Sequence, residues 1–124
     1  MVKQVFQFAL ATGMRRGEVL SLIWSNVDIK LRIAHLSLTK NGDSRTVPLN
    51  SMAVSVLVGL SEARQKPPKD AREKAQYDQQ PVFLISANAV RLSWERLKKR
   101  AGLRDLRFHD LRQEAISRFF EIGL

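Results

Sequence analysis

The spacing of apolar residues changes along the chain, and this change is the strongest constraint on its fold. Near the N-terminus apolar side chains recur at helical intervals, at Val2, Val5, Phe6, Ala9 and Leu10. That spacing predicts an amphipathic helix over residues 2–11. Between residues 33 and 38 the apolar side chains alternate with other side chains, which predicts a strand. The sequence therefore predicts a mixed fold in which helices are joined to a small sheet.

A β-hairpin is expected immediately after this strand. Asn41 and Gly42 follow it, and both residue types tolerate the positive φ angles of a tight turn. A return strand is predicted over residues 45–47, with Pro48 ending it because proline cannot donate to the ladder. Lys40 is therefore predicted to lie at the tip of the hairpin.

The remaining segments are mostly helical by the same criteria. Helices are predicted near residues 15–26, 51–64, 88–101 and 109–121. Residues 65–81 are polar and carry both signs of charge, so we predict an exposed polar loop there. Residues 82–85 are expected to form a short buried strand or extended segment. The whole chain, residues 1–124, is interpreted as part of one domain.

The charge of the chain favours a polyanionic partner. It carries 21 Lys and Arg against 12 Asp and Glu, a formal net charge of +9. Residues 1–50 hold seven basic and three acidic side chains, and residues 86–124 hold nine and five. Nucleic acid is the first candidate and an anionic membrane surface the second. If the fold brings the two ends together, they make one basic face.

Several kinds of chemistry are excluded by composition. The chain has no cysteine and two histidines, which rules out disulfides, thiolate metal sites, cysteine nucleophiles and three-histidine zinc sites. Its apolar runs are too short to cross a bilayer, and its first residues lack a signal-peptide pattern. These features favour a cytoplasmic location.

Four basic residues are candidates for a phosphate site: Arg15, Lys40, His109 and Arg112. Each is predicted at a turn or a helix end, where a side chain reaches a ligand without being buried. Arginine forks bind phosphate oxygens in pairs, lysine donates a proton, and histidine exchanges one near neutral pH. Residue type alone leaves the alternatives open, since each is also common as a solvated charge, a turn residue or a helix cap.

Three segments of the chain resemble the signatures of the tyrosine recombinase (phage integrase) family, in the family's order. They read ATGMRRGEVLSL over residues 11–22, TKNGDSRTVPL over residues 39–49 and FHDLR over residues 108–112. The resemblance implies an α+β, mainly helical catalytic core with a small antiparallel hairpin or sheet. It also implies site-specific DNA recombination by strand cleavage and rejoining through a 3′-phosphotyrosine intermediate.

The resemblance assigns a role to each candidate. Arg15 and Arg112 would grip the scissile phosphate and neutralise the charge that builds on its oxygens. Lys40 would protonate the leaving 5′ oxygen, and His109 would assist proton transfer. The family needs no metal or other cofactor, and its partners are double-stranded DNA and further recombinase protomers, with no membrane. Glu18, Asp28 and Asp110 are predicted to be structural, pairing with backbone groups or arginines.

A second set of basic residues is predicted to contact the DNA backbone. These residues lie in and after the helix predicted over 88–101, where a solvated helix face is the alternative interpretation. They are Lys98, Lys99, Arg100, Arg104 and Arg107.

The sequence departs from the family at the nucleophile. The family places its catalytic tyrosine a few tens of residues beyond the histidine-x-x-arginine box, whereas the one tyrosine here, Tyr77, precedes it. We expect Tyr77 to be an ordinary exposed or half-packed residue. Gln113 stands where many relatives have a second histidine. The chain is thus interpreted as a piece of a larger, nucleoid-associated bacterial or phage recombinase, inactive by itself.

Three other functions remain open on sequence grounds. The first is a non-catalytic module that only binds DNA, because such a module would also carry a large positive charge. A type IB topoisomerase-like enzyme would use the same chemistry. The sequences Thr-Gly-Met-Arg and His-Asp-Leu-Arg are more typical of the recombinases. An interaction domain whose basic charge serves solubility is the third.

Overall fold

The computed structural model describes residues 1–37, 44–64 and 66–102, which form a mainly helical α+β unit. The predicted fold class is confirmed. Within the described residues the elements run in the order α1 (Val2–Thr12), α2 (Arg16–Ser21), a 3-10 turn (Trp24–Asn26), β1 (Val27–Asp28), β2 (Ile33–Ser37), β3 (Ser44–Pro48), α3 (Ser51–Ala63), α4 (Ala71–Asp78) and α5 (Ala87–Ala101).

Helix α1 lies at the centre of the core. Val5, Phe6 and Ala9 of the predicted apolar stripe are buried, and Phe8, which that stripe did not include, is buried as well. Phe6 meets the edge of Trp94 on α5, with ring centroids 5.6 Å apart. Phe8 packs on Phe83 at 5.3 Å. Aromatic pairs at these distances combine large burial with favourable edge contacts, so α1 ties both halves of the chain together.

The sheet has three antiparallel strands in the order β1-β2-β3. Ala34 and Leu36 of β2 are buried whereas His35 and Ser37 are exposed, which confirms the predicted alternation. In β2 and β3, Leu36 is opposite Arg45 and Ser37 is opposite Ser44. Strand β1 was not predicted, because a strand of two residues is too short to show an alternating pattern.

The start of α3 is linked to the end of α1 by one side chain. Asn50 caps α3, since its Oδ1 accepts from the Ala53 N–H at 2.9 Å. Its Nδ2 donates to the Ala11 carbonyl at 3.0 Å. One amide therefore satisfies an unpaired N–H of one helix and a terminal carbonyl of another.

Residues 65–81 contain a helix, although their polar composition predicts a loop. Helix α4 buries no residue, so it has no apolar stripe to reveal it. It forms because alanine, arginine, glutamate and lysine are strong helix formers. Asp70 also caps it by accepting from the Arg72 N–H at 2.8 Å. Most side chains of the segment are exposed.

The second predicted helix is shorter than expected. It ends at Ser21, and the chain then runs extended at Leu22 and Ile23 before the 3-10 turn. Here it pairs with the segment after α4: the Trp24 N–H donates to the Gln80 carbonyl and the Val82 N–H to the Leu22 carbonyl. The apolar spacing alone predicts that this helix continues to about Asn26. It ends earlier because Leu22 and Trp24 form backbone hydrogen bonds with the segment after α4.

Helix α5 agrees closely with its prediction. Ser86 caps its start by accepting from the Ala89 N–H at 3.0 Å, and Gly102 ends it in the left-handed conformation at φ 71°. Val82 and Phe83, just before it, are buried, while Leu84 is exposed. In the part of the chain that is described, no helix is long and apolar enough to cross a membrane. The helix predicted over 109–121 lies outside the described residues.

Candidate functional site

Arg15 lies in a tight turn between α1 and α2. Gly13 ends α1 in the left-handed conformation at φ 70°, and its N–H donates to the Ala9 carbonyl. The Thr12 hydroxyl donates to the Phe8 carbonyl at 2.8 Å and accepts from the Met14 N–H at 3.2 Å. Met14 is buried. The turn is therefore held by hydrogen bonds on both sides of Gly13, and it places Arg15 at the surface.

The side chain of Arg15 is exposed, whereas its backbone is held. Its N–H donates to Glu18 Oε1 at 2.9 Å, and its carbonyl accepts from the Val19 N–H at 2.9 Å. This is the glutamate half of a capping box, in which an acidic residue at the third position of a helix reaches back to the preceding N–H. The arrangement fixes the backbone of Arg15 at the N-terminus of α2 and leaves its guanidinium accessible to a ligand.

Glu18 also forms an ion pair with an arginine of strand β3. The same oxygen, Oε1, accepts from Arg45 Nη2 of β3 at 3.1 Å. The prediction that Glu18 pairs with backbone groups or arginines is confirmed. Asp28 is structural too, since its Oδ1 accepts from the Leu31 N–H at 2.9 Å. Arg45 itself was not singled out from the sequence, because its partner lies 27 residues away and depends on how the sheet packs.

The two strands of the predicted hairpin are present, and they flank the segment that contains Lys40. Residues 38–43, including Lys40, lie outside the described part of the chain. So do His109 and Arg112, as well as Asp110 and Gln113. Of the four candidate catalytic residues the structure therefore places Arg15.

Three of the five predicted DNA contacts lie in the last turn of α5. Lys99 and Arg100 are exposed. Lys98 forms an ion pair with Glu95 at 3.1 Å, and its ammonium lies 5.9 Å from the centroid of the Trp94 ring. Lys98 therefore helps to cover the core as well as adding charge. Arg104 and Arg107 lie outside the described residues.

A further arginine, Arg64, is enclosed by aromatic rings. Its guanidinium carbon lies 3.5 Å from the centroid of Tyr77 and 4.6 Å from that of Trp24. It also donates to the Tyr77 carbonyl at 2.6 Å and to Gln80 Oε1 at 3.2 Å. Tyr77 is half-buried, as predicted. These contacts fasten α4 to the end of α3, and this arginine and tyrosine serve packing.

The described residues contain no cluster of potential metal ligands. Among residues 1–37, 44–64 and 66–102, no group of three or more histidine, aspartate or glutamate side chains is placed to hold a metal ion.

The fold and its surface define a basic α+β unit that presents an arginine from a rigid turn. Comparison with known proteins then gives the family: the chain matches the phage integrase family over residues 1–124 and belongs to it. It is 41% identical over 123 residues to a shufflon-specific DNA recombinase of Escherichia coli. It is 31% identical over 128 residues to the integrase of Salmonella phage P22. The resemblance to tyrosine recombinases is confirmed.

The matches cover nearly all of this chain but a minor part of the relatives. Each spans 99% of the chain, against 28% of the shufflon recombinase and 33% of the phage integrase. No solved structure matches the chain significantly. The family is therefore shown for these 124 residues, and the relatives contain much sequence that has no counterpart in them.

Proposed function

We propose that this chain forms part of the catalytic core of a site-specific DNA recombinase that cleaves and rejoins DNA through a 3′-phosphotyrosine intermediate. The observation that carries the proposal is the placement of Arg15. It lies in a family signature segment, at the start of α2, with its backbone fixed and its side chain exposed. An exposed guanidinium on a fixed backbone is well suited to grip a phosphodiester.

The proposed reaction uses four cationic side chains around one phosphate. Arg15 and Arg112 bind the non-bridging oxygens and stabilise the charge that develops on them in the transition state. A tyrosine oxygen attacks phosphorus while the bond to the 5′ oxygen breaks. Lys40 gives its proton to that oxygen, and His109 assists the transfer and binds the phosphate.

The nucleophile is proposed to come from outside these 124 residues. Tyr77 is a poor candidate because its ring lies against Arg64 and its carbonyl accepts from that guanidinium. Both contacts anchor α4, far in the sequence from the signature segments. These 124 residues alone are accordingly proposed to be inactive in strand cleavage, while the longer recombinase is active.

Double-stranded DNA is the proposed partner, together with other recombinase protomers assembled on it. Lys98, Lys99 and Arg100 of α5 are proposed to contact phosphates, along with Arg104 and Arg107. Each phosphate contact releases counterions, so affinity is expected to fall steeply as salt rises. The proposed location is the bacterial cytoplasm, in association with the nucleoid.

The test is covalent capture of cleaved DNA by the full-length recombinase that carries this sequence. Arg15→Ala and Arg112→Ala are each expected to slow formation of the covalent complex by at least about a hundredfold, since each removes a preorganised donor to the developing charge. Arg72→Gln is the matched control, because it removes a positive charge from an exposed position on α4. Unchanged cleavage in both arginine variants would refute the catalytic assignment, and it would favour the alternative that these 124 residues only bind DNA while the cleavage chemistry lies elsewhere in the recombinase.

A further inference from the structure

We propose that the cleft between the end of α3 and helix α4 is the surface on which a second copy of this chain docks, with the two copies related by a two-fold axis. The inference rests on the proposed function only for the partner, since other recombinase protomers are proposed there. It assigns to those protomers a surface that includes neither Arg15 nor the basic end of α5.

The α3–α4 cleft has a volume of about 590 Å³ and a largely apolar lining. Among its lining side chains Val82 is buried, and Trp24 and Leu60 are half-buried. Arg64 also lines it, but its guanidinium already donates to the Tyr77 carbonyl and to Gln80. The interior therefore suits the apolar side chains of a protein better than the phosphates of a nucleic acid.

Leu84 is the apolar side chain that most lacks cover at this surface. It lines the cleft and is 71% exposed, although Val82 and Phe83 just before it are buried. Met1 lines the same cleft and is 42% exposed. Large apolar side chains exposed together beside an apolar depression are typical of a protein interaction surface. With a two-fold axis, Leu84 of each copy enters the cleft of the other.

The charge of this region separates it from the surfaces proposed to bind DNA. Residues 51–85 supply most of the cleft and hold five basic and four acidic side chains, whereas the whole chain has a net charge of +9. A nearly neutral region gains little from a polyanion, because few phosphates are neutralised there. The occupant that we infer is therefore a protein.

Two opposite charges at the rim favour a second copy as that protein. Lys66 and Glu73 both line the cleft and are exposed, and within the described ranges neither forms an ion pair. A partner with one sign of charge would be attracted by one of them and repelled by the other. A two-fold axis instead sets Lys66 of each copy against Glu73 of the other, which makes two attractive pairs.

The size of the cleft sets the strength of the contact. Fourteen residues line it, fewer than the roughly 20 to 30 residues that each partner contributes to a stable complex. We therefore expect a dissociation constant in the micromolar range for the free protein. Neighbouring protomers on one DNA molecule have a high effective concentration, so a weak contact suffices there.

The experiment measures the Kd of dimerisation of the full-length recombinase, without DNA, by sedimentation equilibrium. Leu84→Ser is expected to raise this Kd at least about tenfold, because each cleft loses a buried apolar side chain. Leu31→Ser is the matched control, since Leu31 is 69% exposed and does not line the cleft. That variant is expected to dimerise with the native Kd.

Charge reversal tests whether the occupant is a second copy. Lys66→Glu and Glu73→Lys each turn two attractive pairs into like-charge pairs, and each is expected to raise the Kd about tenfold. The double reversal is expected to return it close to native. An equimolar mixture of the two single variants should also regain dimer, because every introduced charge then faces an opposite one. This regain requires two chains and cannot arise within one.

Three outcomes would overturn the inference. One is a native recombinase that stays monomeric at its highest soluble concentration, and another is the same Kd for Leu84→Ser and Leu31→Ser. The third is a mixture of the reversed variants that does not regain dimer, which would place a segment of the same polypeptide or a different protein on the cleft.

Arg15→Ala separates this inference from the proposed function. It is expected to dimerise with the native Kd while losing covalent cleavage of DNA. Normal cleavage by that variant overturns the proposed function, whereas its loss of cleavage together with a native Kd for Leu84→Ser overturns the docking surface alone.

Discussion

Arg15 and Arg64 are held in opposite ways, and the contrast shows how one residue type serves two purposes. At Arg15 the backbone is fixed and the side chain is exposed. At Arg64 the guanidinium is enclosed by Tyr77 and Trp24 and bonded to two oxygens. The first arrangement prepares a charge for a ligand from outside. The second uses the planar head group to join parts of the chain.

The largest expected effect tests the fork of Arg15. Arg15→Lys keeps the charge but loses the paired donors that match phosphate oxygens. We expect covalent cleavage by the full-length recombinase to fall about a hundredfold, roughly 2.7 kcal/mol in the barrier. The midpoint of urea unfolding should stay close to native, because the side chain is exposed. A normal cleavage rate would show that charge alone suffices at this position.

The reverse pattern is expected at Arg64. Arg64→Ala removes the stacking on two rings and the charged hydrogen bonds, and we expect the 124-residue chain to lose about 2 kcal/mol of stability. Urea unfolding followed by tryptophan fluorescence measures this loss, since Trp24 is one of the two rings. Cleavage by the folded full-length variant should remain near native. A large loss of cleavage with unchanged stability would place Arg64 in the reaction and erase the contrast.

The turn that presents Arg15 can be tested through Gly13. A Cβ at Gly13 meets nothing within 4 Å, so Gly13→Ala costs only what the left-handed backbone costs a side chain, about 1 kcal/mol. Gly59→Ala is the matched control, since Gly59 lies inside α3 with equally open space. That change should stabilise the chain by roughly 0.5 kcal/mol. The same sign in both unfolding experiments would contradict the role assigned to the Gly13 conformation.

The smallest effect concerns a third arginine whose backbone is itself strained. Arg32 has φ 56° in the turn between β1 and β2, and its carbonyl accepts from the Leu49 N–H. Arg32→Gly relieves the left-handed strain and should raise stability by about 0.5 kcal/mol after the greater chain entropy of glycine is counted. Lys30→Gly removes the same charge two residues earlier without that relief. It should therefore fail to stabilise the chain in the same unfolding assay.

Helices with a buried stripe or a recognisable end were predictable from the sequence. Helix α1 follows its apolar spacing up to Gly13, and α5 ends at Gly102 as predicted. Helix α4 was missed because its residues are polar and none is buried. Local helix propensity and a capping aspartate decided the outcome there, and neither leaves a periodic apolar pattern.

Around the candidate site, the local turn at Arg15 was predictable from the sequence, whereas the contacts between distant segments were not. The turn around Arg15 and the structural role of Glu18 follow from a signature segment and from an acidic residue near a helix start. The partner of Glu18 on β3 does not, because it depends on how the sheet packs against α2. Arg64 was overlooked for a similar reason, since its stacking partners come from two segments far apart in the sequence.

The two bonds made by Asn50 restrict what that position can hold. An aspartate keeps the acceptor for α3 but has no donor for the carbonyl of Ala11, and it sets a negative charge beside the negative end of the α1 dipole. A serine reaches only one of the two helices well. Hydrolysis of this one amide, a common chemical change in ageing proteins, would therefore loosen the join between two helices without altering a single apolar contact.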